Sequence, residues 1–409
     1  MGKNRFFESV EVEEKISLDE LARLGAQEML RMALRAEMSV YMDGVSGYKL
    51  SDGRQAVVLN GSHRPRKVTV GSGTVEVSVP RTRNRADGDE RFVSRILPPY
   101  MRRSPKIDEV IPLLYLRGLS TGDMLPALEK LLGEDASGLS AANVSRLKAI
   151  WNKDYKQWQQ RDLGDKGYCY IWADGIYVNV RFGDNRMCIL VIVGALENGE
   201  KELIAVAAGY RESTESWRYL LNDLKKRGMT CPVLAVGDGA LGFWGALKEV
   251  FPACRWQRCW VHKTANVLDK LPRQVQGRAK AMVHDIYMAD SKEAAGKAFD
   301  IFLRTFEGKY PKATECLEKD REHLLTFYDF PSHHWKHIRS TNAIESPFAT
   351  VRLRTKKTRG QGTETSTLLM IFKLLQQASL RWHRLAKSNL IPLVLAGQVF
   401  IDGELKMAA

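Results

Sequence analysis

Apolar residues recur at helical spacing over residues 16–42, ISLDELARLGAQEMLRMALRAEMSVYM, and predict a long amphipathic helix. The text then becomes rich in Gly, Ser and Arg. It carries two short alternating runs, RKVTVG and TVEVSVPRTR, that read as strands. RTRNRADGDERF, with mixed charge and no apolar period, predicts an exposed loop. Helical spacing returns from Ile107, with one helix over about 107–117 and a break at RGLSTGD, where Ser120 or Thr121 is the expected N-cap. A second helix, MLPALEKLL, ends at Gly133, and a third follows the turn GEDASG in SAANVSRLKAIWNKDYKQWQQ. Two helices across a short Gly-containing turn, the later one opening with small and polar residues plus Arg, fit a helix-turn-helix. It would offer Ala141, Asn143, Ser145 and Arg146 to a DNA groove. An ordinary helical hairpin fits the same pattern nearly as well.

From Gly167 the period changes to that of strands. YCYIWADGIYVNVR, RMCILVIVGAL and ELIAVAAGY are β-branched and aromatic, with turns at RFGDN and ENGEK, and predict an antiparallel meander. A helix, TESWRYLLNDLKKRGM, ends at Gly228; PVLAVGD reads as a buried strand, GALGFWGALKEVF as a helix and CRWQRC as a fifth strand. The order β-β-β-α-β-α-β is that of the ribonuclease H-like fold, an α/β architecture with a mixed sheet flanked by helices. Beyond Trp260 the text is helical to about His337, and a final helical region follows.

Three acids stand out by position. Asp174 interrupts an apolar strand, Asp238 follows the run VLAV, and Glu345 lies in STNAIESPFATVRLRTKK ahead of a basic cluster. In the strand order above, the first and fourth strands are neighbours, which brings Asp174 and Asp238 together. Two carboxylates ~4 Å apart repel by roughly 4 kcal/mol at an effective dielectric of about 20. Either one protonates or a dication enters, and hard oxygen ligands select Mg²⁺ or Mn²⁺. The alternatives are local: Asp174-Gly175 also reads as a hairpin turn, and Asp238-Gly239 as a strand-end turn capping a helix. Glu345, Ala349, Arg352 and Lys356 share one helical face, with Ile344, Phe348 and Val351 as the neighbouring apolar stripe. Pro347 complicates this, because a helix that begins at Pro347 under a Ser346 cap leaves Glu345 outside. Cys259 and His262 form a C-x-x-H, half of a zinc site that His284 or Cys316 could complete. The other reading is a packed His262, hydrogen-bonded near the acids.

Charge narrows the class. The formal net charge is +14, distributed as +3 over residues 1–150, 0 over 151–250 and +11 over 251–409. That balance is too basic for a typical metabolic enzyme and suits a phosphate-backbone partner. The opening twenty residues are charged and broken, without a secretory h-region, and no apolar run approaches the ~20 residues that span a bilayer. Six scattered cysteines read as reduced, packed thiols of a cytoplasmic protein.

Several ordered segments resemble the bacterial insertion-sequence transposases related to the plant Mutator elements. LYLRGLSTGDM is similar to the family's segment before its helix-turn-helix and NVSRLKAIW to the helix after it, and YIWADGIYVNVR and VLAVGDGALGFWGAL to the strands bearing its two aspartates. CWVHKTANVLDKLP carries its C-x-x-H, and RSTNAIESPFATVRLRTKKTRG its glutamate segment. The resemblance spans nearly the whole chain. It implies a DDE triad of Asp174, Asp238 and Glu345 holding two Mg²⁺ ions, with Mn²⁺ a possible substitute, and Cys259 and His262 as structural neighbours. Asn143, Ser145 and Arg146, together with Arg352, Arg354, Lys356, Lys357 and Arg359, become the implied contacts to double-stranded DNA. Gly122 stands where many relatives carry a basic residue, which removes one expected contact. The separation of 107 positions between Asp238 and Glu345 implies an all-helical insertion, at about 264–337. The implied organisation is a DNA-binding region over 1–100, a helix-turn-helix and linker helix over 101–163, and a catalytic domain over 164–409. The implied protein is a nucleoid-associated bacterial homodimer that cuts and joins DNA at terminal inverted repeats. Two rivals remain: a non-catalytic DNA-binding regulator, and a nuclease of the same fold without strand transfer.

Overall fold

The computed structural model describes residues 16–86, 91–117, 119, 121–132, 141–180, 186–209, 211–239, 241–358 and 363–406; the side chains of 121–125, 141–145, 241, 357 and 358 lie outside this description. The chain divides into two compact units, Met1–Leu147 and Lys148–Ala409.

In the first unit, α1 spans Leu18–Gly44 and starts where the Ser17 side chain accepts from the Glu20 amide, with Asp19 and Glu20 favourable to the helix dipole. Strand β1 (Val57–Ser62) pairs antiparallel with β4 (Pro80–Asn84), and β2 (Arg66–Val70) with β3 (Gly73–Val77). Leu34 of α1 packs with Val68, Val75, Val77 and Leu97 in a small core. The β2 and β3 pattern is as expected. Residues 81–83, where the strand run TVEVSVPRTR and the expected loop RTRNRADGDERF overlap, are paired strand, as is Asn84 from the loop alone, and β1 carried no strand signal. In β4 the inward residue is Thr82, buried, between exposed Arg81 and Arg83. A strand whose buried position is a threonine shows no apolar alternation. Next come α2 (Pro105–Arg117) and α3 (Thr121–Leu132). Helix α4, Ala141–Gln159, crosses the boundary between the units. Residues 133–140, where the helix-turn-helix would turn, and the candidate cap Ser120 lie outside the described residues.

In the second unit the expected order appears as β5 (Tyr170–Val178), β6 (Met187–Ala195), β7 (Lys201–Gly209), α5 (Thr214–Lys226), β8 (Leu234–Gly237), α6 (Leu241–Val250) and β9 (Arg255–Arg258). The sheet runs β7-β6-β5-β8-β9, antiparallel through the meander and parallel from β5 to β9. All nine residues of β6 are buried, as a central strand covered on both faces requires. On one face Trp217, Leu221 and Leu224 of α5 and Phe243, Trp244 and Leu247 of α6 pack with Ile171, Ala173 and Ala235. Alternation sends Tyr170, Trp172 and Asp174 to the other face. There Tyr170 Oη lies 2.8 Å from His334 Nδ1, and Trp172 Nε1 donates to the His337 carbonyl at 2.9 Å.

The helices after β9 are α7 (Trp260–Leu268), α8 (Arg273–Tyr287), α9 (Lys292–Phe306), α10 (Pro311–Glu318), α11 (Arg321–Leu324) and α12 (Trp335–Ile338). They are followed by α13 (Asn342–Thr358), α14 (Glu364–Ser379) and α15 (Ile391–Leu395). A two-residue hairpin, β10 (Phe400–Ile401) with β11 (Glu404–Leu405), closes the described chain and is too short to show a sequence period. Of the cysteines, Cys231 is exposed and the other five are buried; all six are free thiols.

Candidate active site

Strand β5 is unbroken through Asp174, which pairs with Val191, and Gly175, which pairs with Leu190. Asp174-Gly175 is therefore no hairpin turn, since cross-strand bonds to β6 hold both residues extended. The parallel ladder between β5 and β8 ends with Ala173 opposite Gly237, so Asp174 and Asp238 follow side by side.

A third carboxylate joins them. Strand β7 runs parallel to β5 across β6, so it ends near the same edge, and Glu212 lies between β7 and the Ser213 cap of α5. Carboxylate oxygens of Asp174, Glu212 and Asp238 all lie within 4.8 Å of one another. Two glycines permit this seat. A Cβ on Gly175 would come 2.3 Å from Glu212 Oε1, and one on Gly242 would come 2.2 Å from the Glu212 carbonyl oxygen. Burial, then the charge of Asp238, pushes Asp174 up to about 7, and the same two causes push Glu212 up to about 7. Glu212 was not singled out in the sequence. Its one local signal is a position just outside a Ser-capped helix start, which many unrelated glutamates share.

The end of β8 is anchored from behind. The Asp238 carbonyl accepts from Trp244 Nε1 at 2.9 Å and from Arg258 Nη1 at 2.5 Å. Arg258 is itself paired with Asp320 at 3.1 Å, and buried Lys263 bonds both Asp320 and the Cys316 carbonyl. The all-helical segment thus steadies the loop that carries Asp238.

Glu345 sits in the first turn of α13, which begins at Asn342 rather than at Pro347. The Thr341 carbonyl accepts from the amides of Ile344 and Glu345 at 2.8 and 3.0 Å, and Thr341 Oγ1 donates to Glu345 Oε1 at 2.8 Å. Pro347 therefore lies inside the helix, in its second turn, where it removes one intrahelical N–H. Ile344, Phe348 and Val351 are fully buried. Glu345 groups with Cys259 and His262, donor atoms of the three again within 4.8 Å. His262 Nδ1 is 3.7 Å from Glu345 Oε1, and Thr341 N and Oγ1 lie 3.3 and 3.2 Å from Cys259 Sγ. A hydrogen bond with Cys259 raises His262 to about 9 against the opposing effect of burial, with support from the charges of Cys259, Asp174 and Glu345. His262 also lowers Glu212 and Asp174, so its charge is felt by both acid groups. Among the described residues neither His284, stacked edge-on with Tyr287, nor Cys316 joins the Cys259 cluster.

The remaining candidates separate. Arg352 and Lys356 are exposed, whereas Arg354 is 3% exposed and does not face outward. A helix turns by 100° per residue, so alternate basic residues cannot all share one face. Lys357's side chain and Arg359 lie outside the described residues; Arg146 is exposed, and the side chains of Asn143 and Ser145 are outside the description.

The family model for the Mutator family of transposases matches residues 3–384. The chain belongs to this family. This Mutator-family transposase is 50% identical over 299 residues to the transposase for insertion sequence element IS6120 of Mycolicibacterium smegmatis, covering 73% of this chain and 92% of the relative. It is 50% identical over 282 residues to that for IST2 of Acidithiobacillus ferrooxidans, covering 68% of this chain and 95% of the relative. It is 30% identical over 345 residues to that for IS905 of Lactococcus lactis, covering 84% and 85%. Among its described residues, no helix is long and apolar enough to cross a membrane. The donors gathered by the transposase at Asp174, Glu212 and Asp238 are all hard carboxylate oxygens, and their mutual repulsion is what a divalent cation relieves. The residues present therefore fit Mg²⁺ or Mn²⁺.

Proposed function

We propose that the chain is a DDE-type DNA transposase with a ribonuclease H-like catalytic domain over 164–409. It binds the terminal inverted repeats of an insertion sequence, nicks the DNA there and joins the freed 3′-hydroxyl to target DNA. The observation that carries this reading is the meeting of Asp174, Glu212 and Asp238 oxygens within 4.8 Å where the parallel pairing of β5 with β8 ends. Asp174, Asp238 and Glu345 are the metal-holding triad, and Glu212 is a fourth carboxylate beside it. These residues would hold two Mg²⁺ ions, or Mn²⁺ in their place, whose chemistry would be to activate an oxygen nucleophile and stabilise the leaving oxygen. Asp174 and Asp238, buried and half-buried on a rigid sheet, fix the donor positions. Thr341 orients Glu345 through the bond to its carboxylate, and Cys259 and His262 pack behind that bond. Exposed Arg352 and Lys356, one and two turns beyond Ala349 on the Glu345 helix, hold DNA phosphates. The helix-turn-helix over 101–163 contributes end recognition through Asn143, Ser145 and Arg146. Because two ends are joined in one reaction, the working form is a homodimer.

The test is substitution of the acids. Asp174→Asn, Asp238→Asn and Glu345→Gln keep side-chain shape and remove one ligand charge. Each is expected to abolish Mg²⁺-dependent nicking and joining of end-bearing DNA while end binding persists. An Asp174→Asn protein that folds, binds ends and cuts at the wild-type rate would overturn the catalytic assignment. Nicking without joined products would reduce the protein to a nuclease.

A further inference from the structure

The first unit contains a cationic groove that the catalytic reading leaves unused. It has a volume of about 1050 Å³ and is lined by Arg64, Arg66, Arg81, Arg83, Arg91 and Arg102, with no acidic residue among the described residues lining it. The strand pattern explains the concentration of charge. In β4 alternation buries Thr82 and turns Arg81 and Arg83 outward, and Arg81 Nε is held by the Asn60 carbonyl of β1 at 2.6 Å. Arg66 opens β2, and its Nη2 donates to the Leu97 and Pro98 carbonyls at 2.8 and 2.7 Å. Its Nε is buried without a hydrogen-bond partner. Burial and the charge of nearby Arg102 lower the affinity of Arg66 for its proton. At the rim Tyr100 is 94% exposed and holds φ at 66°, a left-handed conformation that an L side chain rarely adopts. Among the described residues no carboxylate lines this cluster of guanidiniums, and like charges so gathered repel one another unless an anion completes the arrangement.

We propose that this groove grips the phosphodiester backbone of the element-end DNA, as a contact separate from the helix-turn-helix. The inference rests on DNA being the substrate, as argued above. The groove is far larger than a single phosphate needs, and its arginines come from two strands, β2 and β4, the connection before β2 and the segment leading to α2, which suits successive phosphates along a strand. Such contacts set affinity and position and carry little sequence information.

The test uses the full chain. Arg64, Arg83 and Arg102, all exposed, are replaced together by Gln, with retention of the melting temperature as the check on folding. A control replaces exposed Arg35, Lys49 and Lys106, which lose the same net charge outside the groove. Binding to duplex carrying the terminal repeats and to random duplex is measured against salt. The groove variant is expected to lose about two to three log units of salt slope, on both DNAs alike, because each lost phosphate contact removes somewhat under one. The control is expected to keep nearly the wild-type slope. Equal slopes for the two variants would overturn the groove assignment and leave the catalytic reading intact. Wild-type protein that binds neither duplex would instead overturn the transposase reading itself.

Discussion

Asp174 and Asp238 stand one residue beyond the last rung, Ala173 with Gly237, of two parallel neighbouring strands. The sheet therefore forces two like charges together, and Glu212 adds a third within 4.8 Å. This arrangement is costly to the metal-free fold.

That cost is measurable. Asp174 is raised to about 7 from an ordinary value near 3.8, so its charge destabilises the folded state. The penalty is complete above pH 7 and fades as pH falls toward 4, where the unfolded chain also takes up the proton. Asp174→Asn is expected to stabilise metal-free protein at pH 8 by on the order of 2–4 kcal/mol, and the gain should shrink steadily on acidification. Thermal melts at pH 8 and pH 5, with and without Mg²⁺, check this. Added Mg²⁺ should favour the wild type over the variant, and an unchanged or lowered melting temperature at pH 8 would contradict the repulsion.

The two glycines around Glu212 should respond differently. At Gly175 an added Cβ meets the carboxylate end of Glu212, which can swing away. Gly175→Ala is expected to leave stability nearly unchanged while weakening Mn²⁺ binding severalfold. At Gly242 the added Cβ meets the Glu212 carbonyl at 2.2 Å and the Ser213 carbonyl carbon at 2.7 Å, both backbone atoms. Gly242→Ala should cost about 1–3 kcal/mol in chemical denaturation. A Gly175→Ala protein with intact Mn²⁺ affinity would remove Glu212 from the metal site.

The basic helix α13 offers a contrast between neighbours. Replacing exposed Arg352 and Lys356 by Gln should flatten the salt dependence of DNA binding, by somewhat under one log unit for each lost phosphate contact. Arg354 is buried, so Arg354→Gln should lower the melting temperature and leave the salt slope unchanged. The opposite result would mean that α13 presents a different face to DNA.

Runs rich in β-branched and aromatic residues determined β5, β6 and β7, and the order of strands and helices behind them determined which two strands became neighbours. The nearness of Asp174 to Asp238 was therefore legible in one dimension: a strand period and a connection order suffice to place them. The helical face shared by Glu345, Arg352 and Lys356 was legible too, because i, i+7 and i+11 positions align on any continuous helix. Only tertiary structure decided that this helix starts at Asn342 with Thr341 bonded to Glu345, since a proline near a helix start is equally compatible with a cap beside it. The burial of Thr82 beneath two outward arginines was likewise invisible, because a polar inward residue erases the hydrophobic period. Glu212 depended on three separate events: the length of β7, a helix cap, and the absence of side chains at Gly175 and Gly242. None of these marks a glutamate as special in the text, because strand ends and helix caps are common local features and the two glycines act through space from segments thirty or more residues away.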